Sequence, residues 1–288
     1  MKRRLLLAAA GAPLLPAAAP APLRVMTSFS ILADLVREVG GDMVSVNSLV
    51  GPDADAHVYK PTPRDVRGIA AAEVVVVNGL GFEGWLERLL TASGTRAAVV
   101  VATEGIQPRL AGLSVDPHAW HDAALLQRYV ATLAAALAKA RPGAREVIAA
   151  RARSYTDRLA AADADIRSRL SRVPREQRRV FTAHDAFGYF GAAYGVDFLS
   201  PQGPGTGHEP SAADVARLVR QLRRDRVRAV FAENIADARL IERIAREAGA
   251  RVGRRLYSDA LSGPAGPAPT CLKLFAHNAD AICTAFGV

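Results

Sequence analysis

Apolar positions along this 288-residue chain follow two periods that take turns. Leu23-Arg24-Val25-Met26 reads as a short strand, and Thr27 to Ser30 cap a helix carried by Leu32, Leu35, Val36 and Val39. Gly40-Gly41-Asp42 turns the chain into an alternating strand over 44–50, which Gly51-Pro52 ends. A polar loop with Asp53, Asp55 and His57 leads to Thr62-Pro63-Arg64-Asp65, a helix start with proline at its first position and an acid three residues after the cap. Val74 to Val77 is a β-branched run expected of a strand buried on both faces. A helix through Trp85, Leu86, Leu89 and Leu90 follows, then another strand over 97–102, also expected to be buried. Strands and helices in this alternation predict a parallel sheet with covering helices.

From 143 to 170 one helical pattern runs unbroken. Ile148, Ala152, Tyr155, Leu159, Ala162 and Ile166 step by three and four along one face. Its length of roughly 42 Å exceeds what one small domain needs and suggests a strut between two lobes. After Pro174 the alternation resumes, with strands expected at 179–182, 196–200, 227–232 and 252–257 and helices at 186–194, 211–223, 238–248 and 273–286. The predicted fold is therefore α/β, with two lobes that are each a mainly parallel sheet with flanking helices, joined by one long rigid helix. The boundaries read from the pattern are a leader over 1–21, a first lobe over 22–142, a linking helix over 143–171 and a second lobe over 172–288. No sequence repeat relates the lobes.

Composition sharpens this in three places. Lys2-Arg3-Arg4 before an apolar run and small residues, broken by Gly11, Pro13 and Pro16, reads as a secretory signal cleaved between about Ala18 and Ala21. Arg3-Arg4 is also an incomplete twin-arginine motif, and no cysteine stands near the cleavage point to take a lipid. Losing the three leader charges takes the formal net charge from +9 to +6. The remaining arginines are scattered along amphipathic helices without interleaved aromatic residues, which argues against nucleic acid as a partner. Cys271 and Cys283 would sit about 18 Å apart on one helix, so they pair only if Cys271 folds back from a loop; free thiols are the preferred reading.

Candidate chemistry gathers at strand ends. His57 and His184 follow predicted strands, and His118 opens a helix after the first lobe's last strand. Glu233 and Asp259 occupy the same kind of position in the second lobe. In parallel sheets these positions share the carboxyl edge, where ligands bind, and two such lobes face to face would bring them into one cleft. Three imidazoles and a carboxylate suit a borderline cation such as Zn²⁺ in a tetrahedral site. His121, three residues after His118, is a rival ligand, and Glu233 has an alternative role as a cap for the helix starting near Ala236. His208 and His277 have no evident partner and read as surface.

The same residues carry a resemblance. Asp55-Ala56-His57-Val58-Tyr59-Lys60-Pro61-Thr62-Pro63-Arg64-Asp65, Asp116-Pro117-His118-Ala119-Trp120, His184-Asp185-Ala186-Phe187-Gly188-Tyr189-Phe190 and Gln202-Gly203 with Glu209-Pro210-Ser211-Ala212-Ala213-Asp214 resemble, in order, motifs of the metal-specific solute-binding proteins of ABC importers, the zinc and manganese (ZnuA- or TroA-like) type. Ala56 and Lys60 depart from the family's Pro and Glu. The resemblance implies metal in the cleft between the lobes, held by His57, His118, His184 and Asp259, with Asp259 carried over from Tyr257-Ser258-Asp259-Ala260-Leu261. Manganese-type members usually carry Glu at the position of His184, so imidazole there favours zinc. The His-rich acidic loop of many zinc-uptake members is missing from 71–115, which leaves manganese open.

The expected function is a periplasmic zinc receptor, a monomer not embedded in the membrane, that delivers Zn²⁺ to an ABC membrane permease and is no enzyme. A manganese or iron receptor is the alternative within the class. A secreted zinc hydrolase with Glu233 as general base is the rival from another class, disfavoured because no base sits within a helical turn of a ligand.

Overall fold

The computed structural model describes residues 21–201, 203–207, 211–225, 227 and 229–288. Residues 1–20 of the expected leader, His208 and the Gln202 and Glu209-Pro210 parts of the fourth motif lie outside them.

The first lobe contains β1 (Leu23–Thr27), α1 (Ser30–Gly40), β2 (Val44–Ser48), α2 (Pro63–Ala71), β3 (Val74–Val77), α3 (Leu86–Ser93) and β4 (Ala98–Val101). Its four strands are all parallel, in the order β2-β1-β3-β4, with Val25 beside both Val46 and Val74. The helix start at Thr62 is as its residues predict: the Asp65 carboxylate accepts from the Thr62 N–H and hydroxyl, both at 2.7 Å. The β3 valines are buried on both faces. The strand expected to be buried over 97–102 is instead the edge strand β4, with Val99 and Val101 45% and 37% exposed. Its β-branched residues follow strand propensity, which does not distinguish a central strand from an edge. A small antiparallel hairpin, β5 (Leu110–Ala111) with β6 (Ser114–Val115), was not visible in the pattern.

The chain then enters α4 (Ala123–Ala140) and α5 (Arg145–Leu170). At 26 residues α5 spans about 39 Å. It packs on α1 and α4 of the first lobe and, farther along, on the second lobe's α6 (Gly188–Tyr194) and α9 (Cys271–Phe286). Ile148, Ala152, Tyr155, Leu159 and Ile166, five of the six positions on the predicted stripe, are buried.

The second lobe runs β7 (Arg179–Phe181), α6, β8 (Asp197–Leu199), α7 (Ala212–Arg224), β9 (Ala229–Val230), α8 (Ala238–Ala248), β10 (Arg251–Val252) and α9. Its parallel sheet has the order β8-β7-β9-β10, which repeats the first lobe's order strand for strand. The strands are shorter than the hydrophobic runs suggest. β10 breaks after Val252, and pairing resumes as a bridge between Glu233 and Leu256, with Leu256 N donating to Ala232 O at 2.9 Å. Cys271 and Cys283 are both buried on α9 and free, which settles the disulfide question by distance along one helix.

The two lobes share more than the strut. One contiguous apolar core takes in α1, β3, α5, Phe187, Phe190, Leu256 and α9, and a smaller core fills the space between α7, α8 and the second sheet. Asp34 on α1 accepts from the Cys271 N–H at 2.8 Å, so a first-lobe carboxyl caps the second lobe's last helix. Among the described residues no helix is long and apolar enough to cross a membrane.

Leu159 is fully buried mid-strut. Leu159→Ala is expected to destabilise the protein by about 3 kcal/mol through the lost contacts and residual cavity. Urea denaturation checks this, and a loss below about 1 kcal/mol would mean that the strut is not packed into the common core.

Candidate metal centre

In each sheet the strand order reverses between the first and third strands, so ligands are expected at the carboxyl ends there. In the second lobe that point holds His184, three residues after β7, and Glu233, three after β9. The break in β10 brings the chain back as an irregular segment that carries Asp259 to the same edge. First-lobe chemistry comes from the flanking strands: His57 follows β2, and His118 lies beyond β4 and the hairpin.

These four side chains meet. One donor atom from each of His57, His118, His184 and Asp259 lies within 4.8 Å of the others. Asp259 Oδ2 is 3.0 Å from His57 Nε2 and 3.1 Å from His184 Nε2; Oδ1 is 3.5 Å from His118 Nε2. The Nε2 atoms of His57 and His118 are 3.3 Å apart. Ligand bonds of about 2.0–2.1 Å in a tetrahedron put donors about 3.3 Å from one another, so this spacing fits a cation of zinc's size. Asp259 Oδ1 is fully buried without a hydrogen-bond partner among the described residues, a cost that a coordinated cation removes.

Local sequence explains how the imidazoles are aimed. Asp55 Oδ1 accepts from His57 N at 2.8 Å, and Asp116 Oδ1 accepts from His118 N at 3.0 Å. Both are Asx turns, written in the sequence as Asp-x-His. Asp116 Oδ1 also lies 2.8 Å from His118 Nδ1, which leaves Nε2 for the centre. Glu233 does the equivalent for His184, by another route. Its Oε1 accepts from the Ala183 and His184 N–H groups at 2.8 and 3.0 Å, while Oε2 lies 2.7 Å from His184 Nδ1. Histidines that bind metal usually have such a partner on the second nitrogen. Trp85 Nε1 holds Ala56 O at 2.7 Å, and Trp120 Nε1 reaches across to Ser258 O at 2.9 Å. The Phe82 and His57 rings meet edge to face, their centroids 4.7 Å apart.

Two expectations change. Glu233 does not cap α8, whose cap is Asp237; it is buried against His184. His121 is not in the group. It is buried against Phe187, ring centroids 4.5 Å apart, and burial followed by the charge of His118 pushes its pKa down to about 3. Tyr189 adds a contact from the second lobe: its hydroxyl accepts from Arg109 N at 3.0 Å and donates to Asp116 O at 3.2 Å. Gly188 permits this approach: a Cβ there would lie 2.6 Å from Asp116 Oδ2. His277 stays away from the group, its Nε2 on Arg255 O at 2.8 Å. Sequence reasoning gave no role to Asp116 or Tyr189. The doubled Asp-x-His spacing was a legible signal for the first, and nothing in the pattern marks the second.

Burial opposes charge on His184, Asp259 and Glu233, yet their mutual contacts overcome it. Burial would lower the His184 pKa, but the carboxylates of Glu233 and Asp259 hold it well above 6.5. Burial would raise Asp259, but His184 and His118 keep it well below 3.8, and His184 likewise holds Glu233 below its ordinary value. Their contacts therefore favour charged carboxylates and a protonated His184, whose extra proton a bound cation would replace.

A profile of the family described as "Zinc-uptake complex component A periplasmic" matches residues 25–285. The zinc-binding protein TroA of Treponema pallidum is 31% identical over 278 residues, 93% of this chain and 90% of that protein. The iron-binding protein YfeA of Yersinia pestis is 31% identical over 92% of this chain and 86% of its own length. The manganese-binding lipoprotein MntA of Bacillus subtilis is 32% identical over 91% and 89%. Among solved structures, the periplasmic zinc-binding protein TroA superposes with a TM-score of 0.88 at 30% identity, covering 92% of this chain and 99% of that one. These relatives are binding proteins, and the metals in their names differ.

The shifted groups give the cluster a pH signature when it holds no cation. His184, raised, contributes stability that is complete below pH 6.5 and lost as pH rises through its folded value. Asp259 and Glu233, lowered, contribute above 3.8 and 4.5 and lose this as pH falls through their folded values. Chelator-treated protein should therefore gain most from the cluster between about pH 4.5 and 6.5. In that window Glu233→Ala is expected to cost about 3 kcal/mol, since it strands a buried imidazolium and two backbone N–H groups. Urea titrations at pH 6 showing a loss under about 1 kcal/mol would contradict the buried pairing.

Proposed function

The chain belongs to the zinc-uptake complex component A family of periplasmic proteins, and we propose that it is a periplasmic receptor that captures Zn²⁺ and delivers it to the membrane permease of an ABC importer. The observation that carries this reading is the convergence of three imidazole nitrogens and one carboxylate, all within 4.8 Å, on a buried point between two lobes. His57, His118, His184 and Asp259 are the proposed ligands. The N-terminal basic and apolar stretch is the proposed export signal.

Zinc is preferred on the donor set, and binding over hydrolysis on how that set is completed. A donor set of three nitrogens and one oxygen at tetrahedral spacing suits Zn²⁺, whereas manganese favours oxygen-rich octahedral sites. The fourth donor, Asp259, fills the position that a catalytic zinc keeps open for water, and Glu233 is engaged by His184 and two backbone N–H groups, which argues for binding over hydrolysis. A manganese or iron receptor is the second reading, supported by the relatives named for those metals.

Capture and release follow from the site's chemistry. A cation entering the cluster exchanges its water for the four donors and neutralises the carboxylates that burial leaves without solvent. It must displace the proton that Glu233 and Asp259 hold on His184. Calorimetry at pH 7 in buffers of different ionisation enthalpy should show about one proton released per Zn²⁺ bound, and by the same linkage affinity should already be falling as the pH drops through 7 and should keep falling below about 6.5. Equal affinity at pH 5 and 8 would overturn this.

Alanine at His57, His118, His184 or Asp259 should abolish tight binding, and Glu233→Ala should weaken it by about 10- to 100-fold by releasing the His184 ring. Elemental analysis of protein purified without added metal, followed by Zn²⁺/Mn²⁺ competition, tests cargo identity. Sub-micromolar Mn²⁺ binding with weak Zn²⁺ binding would replace zinc by manganese.

A further inference from the structure

The loop that carries His57 meets the second lobe through one unusual residue. Asp53 follows Pro52 in the turn after β2 and has φ of 53°, in the left-handed region that favours glycine. Among the described residues Leu80 is the only other non-glycine residue with positive φ. Glycine would hold this turn without strain, so the side chain calls for a reason.

That reason lies across the cleft. Asp53 N donates to Leu261 O at 2.9 Å, Oδ1 accepts from Asn234 Nδ2 at 3.0 Å, and Oδ2 accepts from Gly263 N at 3.1 Å. Leu261 and Gly263 lie two and four residues beyond Asp259, on the same irregular segment. Asn234 adjoins Glu233, and its amide also holds Ala260 O at 3.1 Å and Ser258 N at 3.3 Å, which brackets Asp259 on both sides. One first-lobe carboxylate four residues before His57 thus grips the backbone that positions Asp259 and the residue beside His184's partner.

We propose that Asp53 is an interlobe latch, a positioning residue whose carboxylate holds the His57 loop against the Asp259 segment and so sets how fast a bound cation leaves. It touches no ligand atom of the cluster and acts through the two loops. Its side chain is exposed, so water competes for both oxygens. The latch is therefore weak enough to open, which a receptor that must surrender its cargo requires. This inference rests on the metal-binding reading above.

Asp53→Gly is the discriminating variant, because it deletes the carboxylate while relieving the backbone. Zinc release is followed by stopped-flow with excess chelator. The expected result is a dissociation rate about five- to tenfold faster, with an association rate close to wild type and an unchanged Tm. Asp53→Asn keeps one accepting oxygen and tolerance of positive φ, and should fall between the two. Hydrogen exchange of chelator-treated protein should show amides of 50–57 and 258–263 protected together in the wild type and exchanging faster together in Asp53→Gly. A wild-type release rate in Asp53→Gly overturns the latch, as does an Asp53→Asn protein no slower than Asp53→Gly. A wild-type protein that binds no zinc, manganese or iron instead overturns the functional reading, while the exchange comparison still decides whether Asp53 ties the loops.

Discussion

A fully buried carboxylate surrounded by imidazoles is the constraint on which this structure turns. Asp259 has no solvent contact, His118 and His184 have almost none, and one Asp259 oxygen has no hydrogen-bond donor among the described residues. Burying such charge is costly unless it is paired, and the chain distributes the pairing over both lobes. Asp116 backs His118 and Glu233 backs His184, so each ring presents Nε2 inward. The geometry is that of a candidate metal site in which four inward donors converge on one point.

Both lobes reach this point by the same topological device. Two sheets of identical strand order present their carboxyl edges to one cleft, without a sequence repeat between them. They use the device differently. The second lobe places His184 and Glu233 at the point where its strand order reverses, whereas the first lobe fills that point with the Glu83 carboxylate, satisfied by Ser28 Oγ and the Asn78 N–H, both at 2.6 Å. Its own contributions, His57 and His118, come from longer excursions that need tethers, and Trp85 and Tyr189 supply them.

The shared core and α5 hold the lobes in one relation, and this leaves the loops as the adjustable parts. Loops that carry ligands sit at the low end of local stability in most binding proteins. Here they are joined across the cleft by side-chain hydrogen bonds, Thr206 to Asp55 and Asn234 to Asp53, beside the apolar contacts that Ala56 and Leu261 make in the common core. Hydrogen bonds at a wet edge break and re-form readily, which suits a site that must both hold a cation and give it up.

The amino-acid sequence alone determined the α/β alternation, the strut and the strand ends on which candidate ligands sit, because these depend on local periodicity and on turn residues. It also carried the paired Asp-x-His turns that aim two of the histidines, since an Asx turn is a contact between near neighbours. Only the tertiary structure decided that β4 is an exposed edge, since strand propensity is blind to a missing neighbour. It alone removed His121 from the group and turned Glu233 from a helix cap into the partner of His184, a residue 49 positions away. Which nitrogens face one another across the cleft is fixed by how two sheets are docked, and that is a property of packing between distant segments, which no spacing along the chain records.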